Sequence, residues 1–384
     1  MKKISGFGFL FSALLSFSVG STAFGGPPAE VAESVPLETT LGVPGIRSTQ
    51  AVWLELIQSA TQSLDLEEFY ISNQAGQSLE PVLNAIVTAA HRGVQVRLIV
   101  DSSFYKNYPG VPNTFSRIPN IAVRVIDFSP GIQHAKFFIV DRTSVFEGSA
   151  NFDWLSLSHI HEVGLRVSDA AISAAMESIF ETDWAVSKAI QTAFSRSIRP
   201  QSYRSISRAA LSGFQVVASP AKANPNGILD TLTAITRLIA SAQHALNIQV
   251  YQYTTQGIPG GWRVLDTAIR AAAARGVQVQ LLVDAVALKS GGNDLKALSA
   301  LPNIHVRSVT IPQWSGGHLD FARLIHSKYL TVDGARSWVG SENWSVGYFM
   351  NTRNVGLVFD VPQLVAQVDQ IFDQVWTSAY ATSL

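Results

Sequence analysis

Cysteine is absent from all 384 residues. That excludes disulfides, thiolate catalysis and cysteine-bound metal, so stability has to come from packing. An excess of charge is missing too: 28 Lys and Arg balance 28 Asp and Glu, and only 15% of residues are charged. Proteins that hold long duplex nucleic acid draw on phosphate neutralisation by a basic surface, which this chain does not advertise. A short single strand gripped at its end stays open to it. Long apolar runs are scarce. One stretch, Phe7 to Val19, follows Met1-Lys2-Lys3 and precedes the small residues Gly20, Ser21, Ala23 and Gly25. This is the pattern of a secretory signal peptide over residues 1–25, and it implies a secreted or periplasmic protein. A membrane anchor is the alternative, but it needs about 20 apolar residues and the run is shorter. Losing Lys2 and Lys3 with the signal leaves 26 basic against 28 acidic residues. At 47% hydrophobic, the remainder is globular rather than disordered.

What the chain does have is repetition. Arg92-Gly93-Val94-Gln95-Val96 returns as Arg275-Gly276-Val277-Gln278-Val279, and Pro119-Asn120-Ile121 returns as Pro302-Asn303-Ile304, both at an offset of 183. A second landmark repeats at an offset of 192: His134, Lys136, Asp141, Gly148, Ser149 and Asn151 match His326, Lys328, Asp333, Gly340, Ser341 and Asn343. Both copies read H-x-K-x4-D-x6-G-S-x-N. The nine extra residues of the second copy fall in Pro312 to Asp320, a loop expected at the rim of the site and carrying Trp314. Two homologous halves follow, 26–205 and 206–384, joined by a Ser- and Arg-rich connector whose Arg196, Arg199, Arg204 and Arg208 read as a solvated face.

Each half has the same order of elements. An amphipathic helix (Val52 to Gln62; Leu229 to Ala242) precedes a β-rich run (Ser63 to Ile71; Ala245 to Tyr253). A second helix carries Leu83, Ile86 and Ala90, or Leu265, Ile269 and Ala272, at helical spacing. Val94 to Val100 and Val277 to Val283 are too uniformly apolar to have a solvent face. A strand after Pro-Asn, the motif hairpin, a short strand and a closing helix complete the unit. The expected fold is α/β: in each half a mixed β-sheet with helices on both faces, the two halves apposed around one active site.

The spacing within the signature is chemical. Residues at i and i+2 of an extended segment point the same way, so His134 and Lys136 project together, as do His326 and Lys328. Ser149 with Asn151, and Ser341 with Asn343, do likewise. Two copies brought together gather two imidazoles, two ammonium groups and two amides, an inventory suited to binding and transferring a phosphoryl group. No carboxylate-histidine cluster with metal-ligand spacing stands elsewhere, and no cofactor is expected. Asp141 and Asp333 each end an apolar strand and read as turn-holding residues. Packing histidines, or a decayed enzyme that only binds, are the bland alternatives, and all twelve signature positions being filled argues against both.

These residues resemble the phospholipase D superfamily, and Gly148-Ser149-Ala150-Asn151-Phe152-Asp153-Trp154 resembles the lysosomal phospholipase-D-like exonucleases and their bacterial relatives. The resemblance covers nearly the whole mature chain. It implies a phosphodiesterase working through a phosphohistidine, with His134, Lys136, Asn151, His326, Lys328 and Asn343 catalytic and Ser149 and Ser341 in contact with substrate. In that superfamily an acidic residue near this point often accepts from the imidazole Nδ1. Glu162 stands 28 residues after His134, whereas Asn354 holds the corresponding place after His326. The carboxylate is therefore expected behind His134, making His134 the nucleophile and His326 the acid, unless Glu162 pairs with Arg166 or Lys136 instead. Of Glu67 and Glu68, one is expected near the site and the other at a solvent edge.

For substrate, near-neutral charge and Trp314 place a phospholipid, with peripheral membrane contact, ahead of single-stranded nucleic acid. A non-catalytic phosphate-binding envelope protein is the third reading. Phe152, Trp154, Trp344, Tyr348 and Phe349 cluster after the motifs as core packing or as platforms for bases or acyl chains. A monomer is expected.

Overall fold

The computed structural model describes residues 28–190 and 213–384. The signal-like segment 1–25, the junction between the halves and the four connector arginines lie outside them.

Two nine-stranded sheets are present, one from each half, with matching strand order. In the first, Gln95–Asp101 lies between Ser63–Glu68 and Ile121–Ile126, all parallel. Phe137–Val140, Ser144–Gly148, Glu162–Val167 and Ala29–Ser34 follow in antiparallel succession beyond Ser63–Glu68. The second sheet repeats this around Gln278–Asp284, with Ala245–Val250 and Ile304–Val309 beside it. Parallel neighbours need a crossover, and the helices Glu80–His91 and Val264–Ala274 supply it. Sequence periodicity located these elements to within a few residues. Leu229 differs: Leu229–Asp230 is a short edge strand, and the helix begins at Thr231 because the Asp230 carboxylate caps it by accepting from Thr233 N.

Helices cover both faces of each sheet. Thr49–Ser59 and Glu80–His91 close an outer core with Trp53, Leu66, Leu98 and Phe138, and the second half has its own equivalent around Ile248, Leu281 and Trp338. A third core lies between the halves. It combines Phe137, Leu165, Ile179 and Phe180 of the first with Tyr329, Val339, Leu357 and Phe372 of the second. The closing helices Ala170–Val186 and Pro362–Trp376 both contribute to it, so neither half has a complete core of its own. None of the described helices is long and apolar enough to cross a membrane.

Candidate active site

The signature hairpins are built alike. Phe137–Val140 turns into Ser144–Gly148 through Asp141 and Arg142, both at positive φ, and Tyr329–Val332 turns through Asp333 and Gly334 in the same conformation. The Asp141 carboxylate accepts from the backbone N–H groups of Thr61, Gln62 and Ser63 and from the Thr61 hydroxyl, at 2.7–2.9 Å. Asp333 accepts from Gln243, His244 and Ala245 N–H at 2.8–2.9 Å. Burial works against these charges, but the N–H donors prevail and hold both carboxyl groups below the usual range. Each aspartate thus ties the motif hairpin to the start of its neighbouring strand. At the hairpin's far end Gly148 pairs with Gly164, where a Cβ would come within 2.6 Å of the facing Cα. Only glycine permits that approach, and it delivers Ser149 and Asn151 into the site.

His134 to Lys136 and His326 to Lys328 precede their strands as extended segments, and each is anchored by the other half. His134 N donates to Arg353 O at 2.8 Å, and His326 N donates to His161 O at 2.9 Å. Arg353 N in return donates to Ile132 O, and His161 N to Leu324 O. These cross-half bridges bring both histidines into one buried site. The charge of Lys328 acts on His134 and that of Lys136 on His326. Burial, followed by those ammonium groups, pushes both imidazoles well below their ordinary value. Lys136 is lowered strongly by burial and Lys328, and burial brings Lys328 down to about 7. Each ammonium donates to the carbonyl of its own histidine.

The bridges also exchange the partners of the rings, which corrects the sequence-based expectation. Glu162 lies behind His326, not His134: its two oxygens are 2.9 and 3.1 Å from His326 Nδ1. Asn354 Oδ1 lies 2.9 Å from His134 Nδ1. Sequence counting paired each residue with its own motif, whereas Glu162 and Asn354 each follow the residue that reaches across to the other half. Of the other partners considered for Glu162, Arg166 pairs with Glu30 and Glu55, and the Lys136 ammonium donates to His134 O. Burial raises Glu162 to about 7.

Ser149 and Ser341 also depart from the expectation that they contact substrate. Both are buried against the adjacent strand. Ser149 bonds the Val163 backbone and reaches Glu162, and Ser341 donates to Asn354 Oδ1 at 3.1 Å. Their hydroxyls therefore orient the groups behind the two rings. Asn151 and Asn343 stay at the site, each with a buried Oδ1 that has no hydrogen-bond partner among the described residues. Asn151 Nδ2 donates to the Tyr70 hydroxyl at 3.3 Å, and that hydroxyl donates to Asp153 at 3.0 Å.

Two buried carboxyl groups, Glu147 and Glu342, escaped the sequence reading. Glu67 and Glu68 are both buried, so neither forms a solvent edge. Gln133 donates to Glu67, while Glu68, with Glu162 and Glu342, offsets the charge of Lys136. Glu147 is fully buried without a hydrogen-bond partner among the described residues, where the second half has Val339. Pairing the two copies position by position would have exposed Glu147 and Glu342 as departures from Val339 and Ala150. Phe152, Trp344 and Phe349 are core residues. Trp314 packs edge-on against His159, 4.9 Å between ring centres, while Ser315 N donates to Glu38 and Arg323 to Leu37 O. The inserted loop is thereby folded onto the protein. No group of three or more His, Asp or Glu side chains among the described residues is arranged to hold a metal ion.

A buried pair of imidazoles, each fixed through Nδ1 and flanked by lysine and asparagine, on paired α/β halves defines a two-histidine phosphodiesterase. Residues 53–184 and 235–376 match the family described as "Cardiolipin synthase, PLD-like domain", and the chain belongs to that family of the phospholipase D superfamily. It is 30% identical to Phospholipase D Z of Dictyostelium discoideum, over 96% of this chain and 92% of that one. It is 28% identical to the 5'-3' exonuclease PLD4 of Homo sapiens, over 92% and 78% respectively. The fold is similar to the crystal structure of phosphatidylserine synthase from Haemophilus influenzae Rd KW20, with a TM-score of 0.66 at 15% identity, covering 87% of this chain and 85% of that one.

Proposed function

We propose that the chain cleaves phosphodiesters through a phosphohistidine on His134, with His326 as the acid and then the base. The observation that carries this is the unequal backing of the two rings. Asn354 Nδ2 donates to the carbonyls of Tyr348 and Thr352 and to Ser219 Oγ, at 2.9–3.2 Å, which turns its Oδ1 toward His134. His134 Nδ1 therefore carries the hydrogen, and Nε2 keeps a free lone pair. A neutral amide gives that ring no reason to hold a second proton, and burial opposes one. The Glu162–His326 pair is different, because burial lets it retain an extra proton up to about pH 7. Whether that proton sits on the carboxyl group or on Nδ1, His326 Nε2 still presents N–H. Nucleophile and acid thus keep the order expected from sequence, for the opposite physical reason: the carboxylate serves the acid.

In the first step His134 Nε2 bonds to phosphorus as the phosphorus–oxygen bond to the leaving group breaks, and that oxygen takes the proton from His326 Nε2. In the second, His326 accepts a proton from water, the water oxygen bonds to phosphorus, and the electron pair of the nitrogen–phosphorus bond returns to His134. Lys136, Lys328, Asn151 and Asn343 donate to the non-bridging oxygens as charge builds. Rapid quenching of turnover with a phosphodiester substrate, followed by peptide mass spectrometry, should find the phosphoryl group on the peptide containing His134. His134→Asn should abolish turnover. Label on the His326 peptide would reverse the roles.

The preference for phospholipids rested partly on Trp314 at an interface, and with that ring packed on His159 this support is lost. Phospholipid cleavage and scission of a single strand share the steps above. What distinguishes them is the cleft wall.

A further inference from the structure

Three aromatic rings stand in a near-parallel group beside the catalytic amide of the first half. Tyr70 lies 4.8 Å from Tyr108 with 21° between planes, and 5.7 Å from Phe104 with 22° between planes. Phe104 and Tyr108 are within 10° of parallel at 6.5 Å. All three are half-buried rather than sealed in the core. Phe69 joins them to the active centre, 4.0 Å from Phe104 and 4.9 Å from the His134 ring. The inner end is chemically connected as well, because the Tyr70 hydroxyl links Asn151 to Asp153.

The corresponding positions of the second half carry no such rings. Positions 183 residues after Phe104 and Tyr108 are Ala287 and Gly291, and Gly291 is closed off by Tyr253 O, 1.8 Å from where a Cβ would stand. Two apposed halves of one fold have no architectural need for such a group on one side only. Part of each ring remains accessible, and a flat π-system is the ligand chemistry that parallel rings accept. An acyl chain would find polar hydroxyls at Tyr70 and Tyr108 where it needs an apolar channel.

We infer that Tyr70, Phe104 and Tyr108 form a stacking subsite for a planar base carried by the group esterified to the scissile phosphate. The preferred substrate class is therefore the end of a single-stranded nucleic acid. This rests on the phosphodiesterase reading above and deepens it. Neutral overall charge is consistent with such a substrate, since stacking at one end replaces a long electrostatic track. Tyr70 performs two tasks: its ring supports the stack, and its hydroxyl positions Asn151, so an engaged base and an aligned amide are coupled.

The test compares three substrates with the full chain: oligothymidylate, an abasic oligomer of equal length with the same phosphodiester backbone, and phosphatidylcholine vesicles. The wild type should cleave oligothymidylate with a kcat/KM about tenfold above the abasic oligomer. Tyr108→Ala and Phe104→Ala should each reduce that gap, mainly through KM, and Tyr108→Trp should preserve it. Thermal unfolding of the variants separates lost stacking from lost folding. Equal rates on the two oligomers would make the rings simple packing and overturn the subsite while the phosphodiesterase reading stands. Cleavage of vesicles alone would overturn it in favour of lipid. Loss of no activity in His134→Asn would instead sink the mechanism on which both rest.

Discussion

At the scale of single residues, the decisive contacts are the exchanged ones behind the rings. Glu162 lies in a His-Glu-Val-Gly segment and Asn354 in an Arg-Asn-Val-Gly segment, so their correspondence is readable from sequence. Which histidine each one meets is not, because that depends on a pseudo-twofold crossing with no trace in local spacing. The exchange has a consequence for pH. The Glu162–His326 pair releases its extra proton as pH rises through about 7, and Lys328 loses its charge in the same range. Turnover should therefore fall on the alkaline side of about pH 7. In Glu162→Gln the amide cannot support an imidazolium, and Lys328 loses a charge that favours its own protonation. Both effects move the alkaline limb toward lower pH. A pH–rate profile of kcat in wild type and Glu162→Gln measures the displacement, and an unmoved limb would remove Glu162 from proton transfer.

Among elements, the signature aspartates show how much of the hairpin was legible. Their position after an apolar strand identified a turn, and the donors that fill their oxygens come from a helix–strand junction 78–80 residues earlier in the chain for Asp141 and 88–90 for Asp333. Asp141→Ala removes the acceptor of four hydrogen bonds and should destabilise the fold by about 1–3 kcal/mol, judged by urea denaturation. Turnover per folded molecule should survive, since Asp141 lies at the opposite end of the strand from His134. Because both carboxyl groups are held below their ordinary range, their contribution is present above the unfolded value and lost as pH falls through the folded one. The Asp141→Ala deficit should therefore shrink in acid. The central strands and long helices were readable because their apolar pattern leaves no choice of face. Ala29–Ser34 was not: with Glu30, Glu33 and Ser34 buried, its polar sequence hides a strand whose pairing is set by register with Glu162–Val167.

For the whole molecule, duplication was plain in the sequence but the union of the halves was not, because it consists of side chains meeting across two sheets. Arg353 shows the mechanism. It is fully buried, grips Asp183 through two bonds of 2.7 and 2.9 Å, donates to Ala223 O, Ser219 O and Asn224, and through its own carbonyl accepts from His134 N. Asp183 belongs to the closing helix of the first half, so one ion pair joins that helix, the second sheet and the catalytic segment. Separating such a pair leaves a buried guanidinium uncompensated, at a cost of about 3–5 kcal/mol. The shared core adds apolar surface that neither half can cover alone. Calorimetry should then record one unfolding transition for the intact chain, and Asp183→Asn should lower that single transition rather than split off a first-half event. Two resolved transitions, with only the earlier one sensitive to Asp183→Asn, would mean that the halves fold independently and that the site is assembled by docking.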